Sequence, residues 1–121
     1  MLDRAKRLIL ESLDPQITHF LYQENHNQHR YTFRDGSILY IVYNRKGDYA
    51  YQLLFSSQPL DRIRFDSMDK RWDVDTKPHH FHPKGRSDAY RSPMTGNPDE
   101  DIPRLVSYIL SGELRKADKR F

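Results

Sequence analysis

Residues 38–66 read ILYIVYNRKGDYAYQLLFSSQPLDRIRFD. Apolar and polar side chains alternate along three runs of this stretch, and β-branched and aromatic residues dominate each run, which indicates half-buried β-strands. The breakers NRKGD and SQP separate the runs. The stretch therefore predicts three consecutive antiparallel strands, with Tyr43 opposite Tyr49 and Ser56 opposite Leu60.

This register assigns the side chains of the three strands to two faces, because a shift of one residue would turn every side chain of a strand over. The core face carries Leu39, Ile41, Tyr51, Leu53, Ile63 and Phe65. The other face carries Ile38, Tyr40, Gln52, Leu54, Arg62 and Arg64. This second face is half polar. It is either an ordinary mixed face that a loop or a partner covers in part, or a platform for nucleic acid.

A further strand is predicted on the C-terminal side, over residues 71–75, with Ser67–Lys70 as the hairpin loop. Three opposite-charge pairs then face each other across the hairpin, namely Asp66 with Arg71, Arg64 with Asp73, and Arg62 with Asp75. Cross-strand pairs of this kind stabilise antiparallel sheets. The same register turns Trp72 towards the core face.

On the N-terminal side, Asp35-Gly36 is typical of a two-residue hairpin turn. This turn places Tyr31 opposite Tyr40, on the half-polar face. The run that begins at Gln16 and leads into this turn supplies the first strand. The sequence therefore predicts a five-stranded antiparallel meander sheet, with all strands within residues 16–75.

Two amphipathic helices flank the predicted sheet. Apolar residues recur at helical spacing in both of them: Leu2, Ala5, Leu8, Ile9 and Leu13 in the first, and Ile102, Leu105, Val106, Ile109 and Leu110 in the second. Pro15 ends the first helix and Gly112 ends the second. The expected bounds are about 3–13 and about 100–111, and the tail over 113–121 is expected to be frayed. The predicted fold class is α+β, a single domain over residues 1–121 with both helices packed on the core face.

The composition excludes several classes of protein. With no cysteine, the chain forms no disulfide and uses no thiol chemistry. Charged residues make up 31% of the chain and the mean hydropathy is −0.92, so no stretch approaches the roughly 20 apolar residues of a membrane helix. We therefore expect no contact with a membrane. The first fourteen residues carry acids within their apolar periodicity and do not resemble a secretory signal, so the expected location is the cytoplasm.

The net charge of +3 is concentrated in one segment. Residues 76–96 hold four basic residues and one acidic residue, whereas the rest of the chain balances at 16 of each. The same segment holds three of the six histidines and is bracketed by prolines and glycines, which mark a shaped loop. This basic, histidine-rich loop is either merely solvated or a site for an anionic partner.

The predicted catalytic residues of this loop are His79, His80, His82 and Lys84. Imidazole acts as acid or base near neutral pH, and a lysine ammonium stabilises phosphate charge. Such a set suits RNA cleavage, in which a base deprotonates the 2′-hydroxyl, an acid protonates the leaving 5′-oxygen and a cation stabilises the phosphorane. His80 and His82 are the leading acid and base, with His79 as an orienting partner. This mechanism needs no metal and no other cofactor.

The residues predicted to bind RNA lie in the same loop or on the half-polar face. They are Lys77, Arg86, Arg62, Arg64, Tyr31 and Tyr40. The cations are expected to contact phosphates, and the tyrosines are expected to stack on bases.

Other interpretations of the histidines remain open. In an extended run His80 and His82 point to the same side, and with Asp73 or Asp75 they would form the metal site of a metal-dependent phosphodiesterase. A noncatalytic RNA-binding or complex-assembly module would use the same basic loop and would bind equally well without the histidines. A histidine that merely caps the edge of the sheet would have no chemical role.

Four stretches resemble the TumE-like toxin family of bacterial and archaeal toxin–antitoxin modules. They are DGS over 35–37, YAYQLLF over 49–55, RWDVDTKPHHFHPKG over 71–85 and SPMTGNPDEDIPRLVSYI over 92–109. The most specific of these motifs is Pro78-His79-His80-x-His82 followed by Gly85. The resemblance covers about residues 30–110. It implies a growth-inhibiting toxin, a cognate antitoxin that is often a helix-turn-helix protein, and RNA as the expected target.

Overall fold

The computed structural model describes all residues from 1 to 121. It contains two helices, α1 (Leu2–Leu13) and α2 (Pro98–Ser111), and seven strands. The strands are β1 (Ile17–Gln23), β2 (Gln28–Phe33), β3 (Ile38–Tyr43), β4 (Tyr49–Leu54), β5 (Arg62–Asp66), β6 (His80–His82) and β7 (Tyr90–Arg91). Short 3-10 helices occupy residues 14–16, 24–26 and 113–115. Neither α-helix has both the length and the apolar character needed to cross a bilayer.

The seven strands form one antiparallel sheet in which each strand pairs with its neighbours in sequence. The predicted register of the three central strands is confirmed, because Tyr43 lies opposite Tyr49 and Leu53 opposite Ile63. Their core face joins the apolar faces of both helices in one cluster of 20 buried residues. The opposite face of the sheet, called here the outer face, carries the alternate side chains of β2 to β6.

The prediction of five strands is wrong. Residues 71–75 form no strand, and β5 pairs instead with β6, so that Phe65 faces Phe81 and Asp66 faces His80. The short strand β7 then pairs with β6. Both additional strands lie within residues 76–96, the segment that the sequence predicts to be a loop.

Burial explains why β5 selects β6. Phe81 is fully buried and stacks on Phe65 with 4.6 Å between ring centroids, whereas Trp72 remains partly exposed. Burying a large apolar side chain contributes about 1.5–3 kcal/mol. The charge pairs predicted for residues 71–75 would lie at the surface, where each contributes about 0–1 kcal/mol. The core contact therefore outweighs the local charge pattern.

The predicted register of β2 is wrong by one residue. The β2–β3 hairpin has a three-residue loop in which Gly36 is left-handed, with φ of 88°, and the amide of Phe33 donates to the carbonyl of Ser37 at 2.9 Å. Such a loop is the next most common hairpin connection after the two-residue turn. The extra residue places Tyr31 opposite Leu39. Tyr31 is therefore fully buried in the core, not on the half-polar face.

The C-terminal tail, which the sequence predicts to be frayed, packs on the core. Leu114 is 1% exposed, and the ring of Phe121 lies 4.9 Å from that of Phe81. The guanidinium of Arg115 also pairs with Asp35 at 2.5 Å. The ring of Phe121 covers the core beside β5 and β6, and the Arg115 pair holds the tail to the turn between β2 and β3.

A buried carboxylate fixes the start of α2 to the sheet. Asp101 is fully buried and accepts a hydrogen bond from the hydroxyl of Tyr51 at 2.7 Å. It also accepts the backbone amides of Thr95 and Gly96, at 2.8 and 2.7 Å. Because these donors satisfy the carboxylate, its burial is tolerated.

We predict that Phe81→Ala lowers the free energy of unfolding by about 3–5 kcal/mol, because it empties a fully buried aromatic site. The control, Trp72→Ala, should lower it clearly less, because Trp72 lies partly exposed in a loop. Urea unfolding followed by circular dichroism measures both values. A greater loss for Trp72→Ala would contradict the pairing of β5 with β6.

Candidate functional site

The chemically active side chains of the outer face come from β5 and β6. The two strands alternate, with Ile63, Phe65 and Phe81 in the core and Arg62, Arg64, Asp66, His80 and His82 on the outer face. The ladder places Arg64 opposite His82 and Asp66 opposite His80. Strand pairing alone thus brings a carboxylate and two imidazoles together.

Asp66 lies between the two histidines. Nε2 of His80 is 3.0 Å from Oδ1 of Asp66, and Nε2 of His82 is 3.9 Å from Oδ2. The side chains of Asp66 and His80 are 3% and 1% exposed, and that of His82 is 12% exposed. Arg64 completes the group, since its Nε donates to Oδ2 of Asp66 at 2.7 Å.

Backbone carbonyls hold both imidazoles by their Nδ1 atoms. Nδ1 of His80 lies 3.0 Å from the carbonyl of Pro78, and Nδ1 of His82 lies 3.1 Å from the carbonyl of Asp88. A carbonyl only accepts, so each Nδ1 carries the hydrogen and each neutral ring presents a lone pair at Nε2. Nε2 of His80 is enclosed and makes no aligned hydrogen bond. Two lone pairs and a carboxylate therefore converge. Because all three groups are electron-rich and repel one another, a proton or a metal ion is needed between them.

The pKa values of the two histidines shift in opposite directions. Burial lowers the pKa of His80, but the Asp66 carboxylate and the Pro78 carbonyl more than offset this effect and raise it. Burial and then the charge of His80 lower the pKa of His82. Burial raises the pKa of Asp66, but His80 and Arg64 outweigh it and hold the pKa well below its usual range. At a given pH, His82 is therefore neutral more often than His80, and so is more often able to accept a proton.

An open cleft of about 310 Å³ lies in front of His82. Its lining includes three arginines, Arg62, Arg64 and Arg71, together with Asp66, Asp69, Met68, Trp72, His82 and Ser87. The ring of Trp72 meets that of His82 edge-on, with 5.4 Å between centroids. The cleft thus combines cations that suit a phosphate, an aromatic surface and one partly exposed imidazole.

The other predicted catalytic residues lie apart from this cleft. Nδ1 of His79 is 2.9 Å from the hydroxyl of Tyr49, and the two rings stack on the core side of the sheet. Nζ of Lys84 lies 3.6 Å from Asp61. The structure therefore brings His80 and His82 together but not His79 and Lys84.

Only some of the residues predicted to bind RNA lie at the cleft or on the outer face near it. Arg62 and Arg64 line the cleft, and Tyr40 lies on the outer face two strands from Arg64. Arg86 pairs with Asp88, and Lys77 is exposed in a turn; neither lines the cleft. Tyr31 is in the core.

Sequence reasoning missed three members of the site, namely Asp66, Arg71 and Trp72. Asp66 was expected to pair with Arg71 across a hairpin, and Trp72 was expected in the core. The signal that was available is the polar–apolar–polar order of His80-Phe81-His82 between two prolines, which is itself the alternation of a short strand.

Asp66, His80 and His82 are also the side chains that are able to hold a metal ion. Their ligand atoms all lie within 4.8 Å of one another. Two imidazoles and one carboxylate form a common ligand set for divalent transition metals.

A comparison with protein families gives one result. The family model described as "Toxin TumE" matches residues 5–111, a range that includes all seven strands and α2. No curated protein and no solved structure matches the chain.

We predict that the ion pair of Asp66 and His80 makes stability depend on pH. Folding raises the pKa of His80, so this contribution is complete below its ordinary value of about 6.5 and is lost as the pH rises through the raised value. Folding lowers the pKa of Asp66, so its contribution is lost as the pH falls below about 4. Asp66→Asn should cost about 3–5 kcal/mol between these limits.

Urea unfolding of the wild type and Asp66→Asn, from pH 4 to pH 9, measures this difference. The difference should shrink as the pH rises above the ordinary imidazole value of about 6.5 and through the raised pKa of His80. A difference that grows from pH 6 to pH 9 would show that His80 is not the charged partner.

Proposed function

The chain belongs to the TumE toxin family, and on this premise we propose that it is an endoribonuclease that inhibits growth by cleaving RNA. Membership of a toxin family implies a cognate antitoxin. The observation that carries the proposal is the imidazole of His82, which is 12% exposed and lies beside a buried carboxylate in a cleft that three arginines line.

His82 acts as the general base. Its lowered pKa leaves it neutral at pH 7, so Nε2 takes the proton of the 2′-hydroxyl of the RNA. The 2′-oxygen forms a bond to the adjacent phosphorus while the bond from phosphorus to the 5′-oxygen breaks. The departing 5′-oxygen takes a proton from water at the open side of the cleft. The products are a 2′,3′-cyclic phosphate and a 5′-hydroxyl.

Arginines stabilise the charge that develops on the phosphorane. Arg62 is held in place because its guanidinium donates to the carbonyls of Pro83 and Arg86, at 3.0 and 2.8 Å. Arg64 is held by Asp66 and by Gln52. Cations fixed before the reaction stabilise a transition state without reorganisation. The cleft arginines take the role for which the sequence suggested Lys84.

His80 and Asp66 act through His82 as positioning residues. His80 is buried, so it does not reach the RNA directly. Its charge helps to keep His82 neutral before the reaction. Asp66 then stabilises the imidazolium that His82 becomes when it accepts the proton, since Oδ2 lies 3.9 Å from Nε2.

We predict that His82→Ala lowers the rate of RNA cleavage by about 10²- to 10⁴-fold, the usual contribution of a general base, and abolishes toxicity. His19→Ala is the control, because His19 is an exposed histidine on β1. Cleavage of a labelled RNA by purified protein, and growth after induction, give the two readouts. The 5′ fragment should end in a 2′,3′-cyclic phosphate.

Two results would contradict this mechanism. A fragment that ends in a 3′-hydroxyl would exclude attack by the 2′-oxygen. Binding of RNA without any cleavage, unchanged in His82→Ala, would identify a noncatalytic RNA-binding module.

A second candidate function is that of a metal-dependent phosphodiesterase. The observation that favours it is that both histidines donate Nδ1–H to carbonyls and turn Nε2 towards Asp66. Metal-binding histidines are oriented by hydrogen bonds of this kind. Asp66 would then take the place for which the sequence suggested Asp73 or Asp75.

Chelation separates the two candidates. Acid–base catalysis predicts that cleavage in excess EDTA proceeds at the same rate as without it. The metal-dependent alternative predicts loss of cleavage in EDTA and recovery when Mn²⁺ or Zn²⁺ is added in excess of the chelator. Recovery by metal would overturn the role of His82 as the free base.

A further inference from the structure

A row of side chains crosses the outer face of the sheet from β2 to β6. The strand register joins the members of the row in the order Arg30, Tyr40, Gln52, Arg64 and His82. Neighbouring strands are about 4.8 Å apart, so the row spans roughly 19 Å. It ends at His82, the residue to which the proposed function assigns the proton transfer.

A groove runs along this row and reaches the cleft. One depression of about 380 Å³ is lined by Tyr40, Val42, Ala50 and Arg64, with Gln23, His26, Gln28, Gln52 and Leu54. The small side chain of Ala50 leaves room between larger neighbours. Arg64 lines both this depression and the cleft in front of His82, so the two adjoin at this side chain.

The charges of the groove favour an anion. Arg30 and Arg64 lie in the row, and Nε of Arg30 is buried without a hydrogen-bond partner. The nearest carboxylate on β5, Asp66, is already paired with Arg64 and His80. The side chains that line the depression include no acidic residue.

We propose that this groove binds single-stranded RNA across the strands and guides the phosphate to be cleaved to His82. Tyr40 offers a ring on which an unpaired base stacks, whereas the bases of a duplex are not exposed for such a contact. The direction in which the RNA runs, towards His82, rests on the proposed function. Binding of RNA in the groove does not itself require that the protein cleave it.

The test compares Val42→Glu with Val42→Gln. Val42 lies on the outer face in the groove, one row from Tyr40, and the two substitutions differ in charge but hardly in size. Binding of a fluorescently labelled single-stranded RNA decamer is measured by anisotropy at fixed salt. Val42→Glu should bind at least about tenfold more weakly than Val42→Gln, because its carboxylate repels the phosphates.

A second comparison tests stacking. Tyr40→Ala should weaken binding of the same RNA about fivefold or more. Tyr22→Ala should not weaken it, because Tyr22 is an exposed tyrosine on β1 outside the groove. Equal binding by the two Val42 variants, or normal binding by Tyr40→Ala, would overturn the proposal.

These outcomes are distinct from those of the proposed function. Wild-type protein that binds the decamer with the predicted variant effects but cleaves no RNA would refute the nuclease and support the groove. Normal cleavage with unchanged binding in Val42→Glu would refute the groove and leave the nuclease. If Val42→Glu loses binding of the cognate antitoxin but not of RNA, the antitoxin is the occupant and the RNA proposal is wrong.

Discussion

The pairing of β5 with β6 is the constraint on which the rest of the structure depends. On the core side it stacks Phe81 on Phe65, and on the outer side it brings His80 to Asp66. The charge of an almost fully buried carboxylate has to be compensated by hydrogen bonds or by cationic partners, and removal of one partner of a buried ion pair typically costs about 3–5 kcal/mol. Arg64 and His80 supply that charge. The same ladder that completes the core therefore assembles the site.

The ion pair also determines what His82 is able to do. Burial, and then the positive charge that Asp66 favours on His80 at 5.0 Å between ring centroids, lower the pKa of His82 although Asp66 is near. The pKa values of two chemically identical side chains are thus shifted in opposite directions by their surroundings, which is the usual way in which acid and base roles are separated. Three arginines line the cleft beside His82, and in the proposed mechanism they, not the histidines, stabilise the charge on the phosphate.

The sequence predicts the central strands of the sheet well and the strands on either side of them poorly. The register of β3, β4 and β5 follows from regular alternation and clear breakers, and both helices follow from apolar periodicity. Polar and apolar residues also alternate in the segment RWDVD over 71–75, and its charges are complementary to those of β5. It therefore has the sequence pattern of a strand, although it forms none. Pairing of β5 with residues 71–75 would close a short loop, whereas the observed pairing of β5 with β6 closes a longer one. The longer loop costs little more conformational entropy, so the local pairing has no large advantage.

The error in the predicted register of β2 has a different cause. Asp35-Gly36 fits a two-residue turn and a three-residue loop equally well, because both place a glycine where φ is positive. Only the burial of Tyr31 against Leu39 decides between them. Asp66 was missed as a site residue for a related reason. Its role depends on a partner 14 positions away in sequence, and no local pattern indicates that partner.

The most direct test of this account is the protonation state of the two imidazoles. Long-range ¹H–¹⁵N correlation spectra of protein labelled with ¹⁵N-histidine, at pH 7, distinguish an imidazolium from each neutral tautomer. We expect His80 to be doubly protonated and His82 to be neutral with its hydrogen on Nδ1, assigned with His80→Gln and His82→Gln. A neutral His80, or a charged His82, would contradict the claim that the buried ion pair prepares His82 as the base.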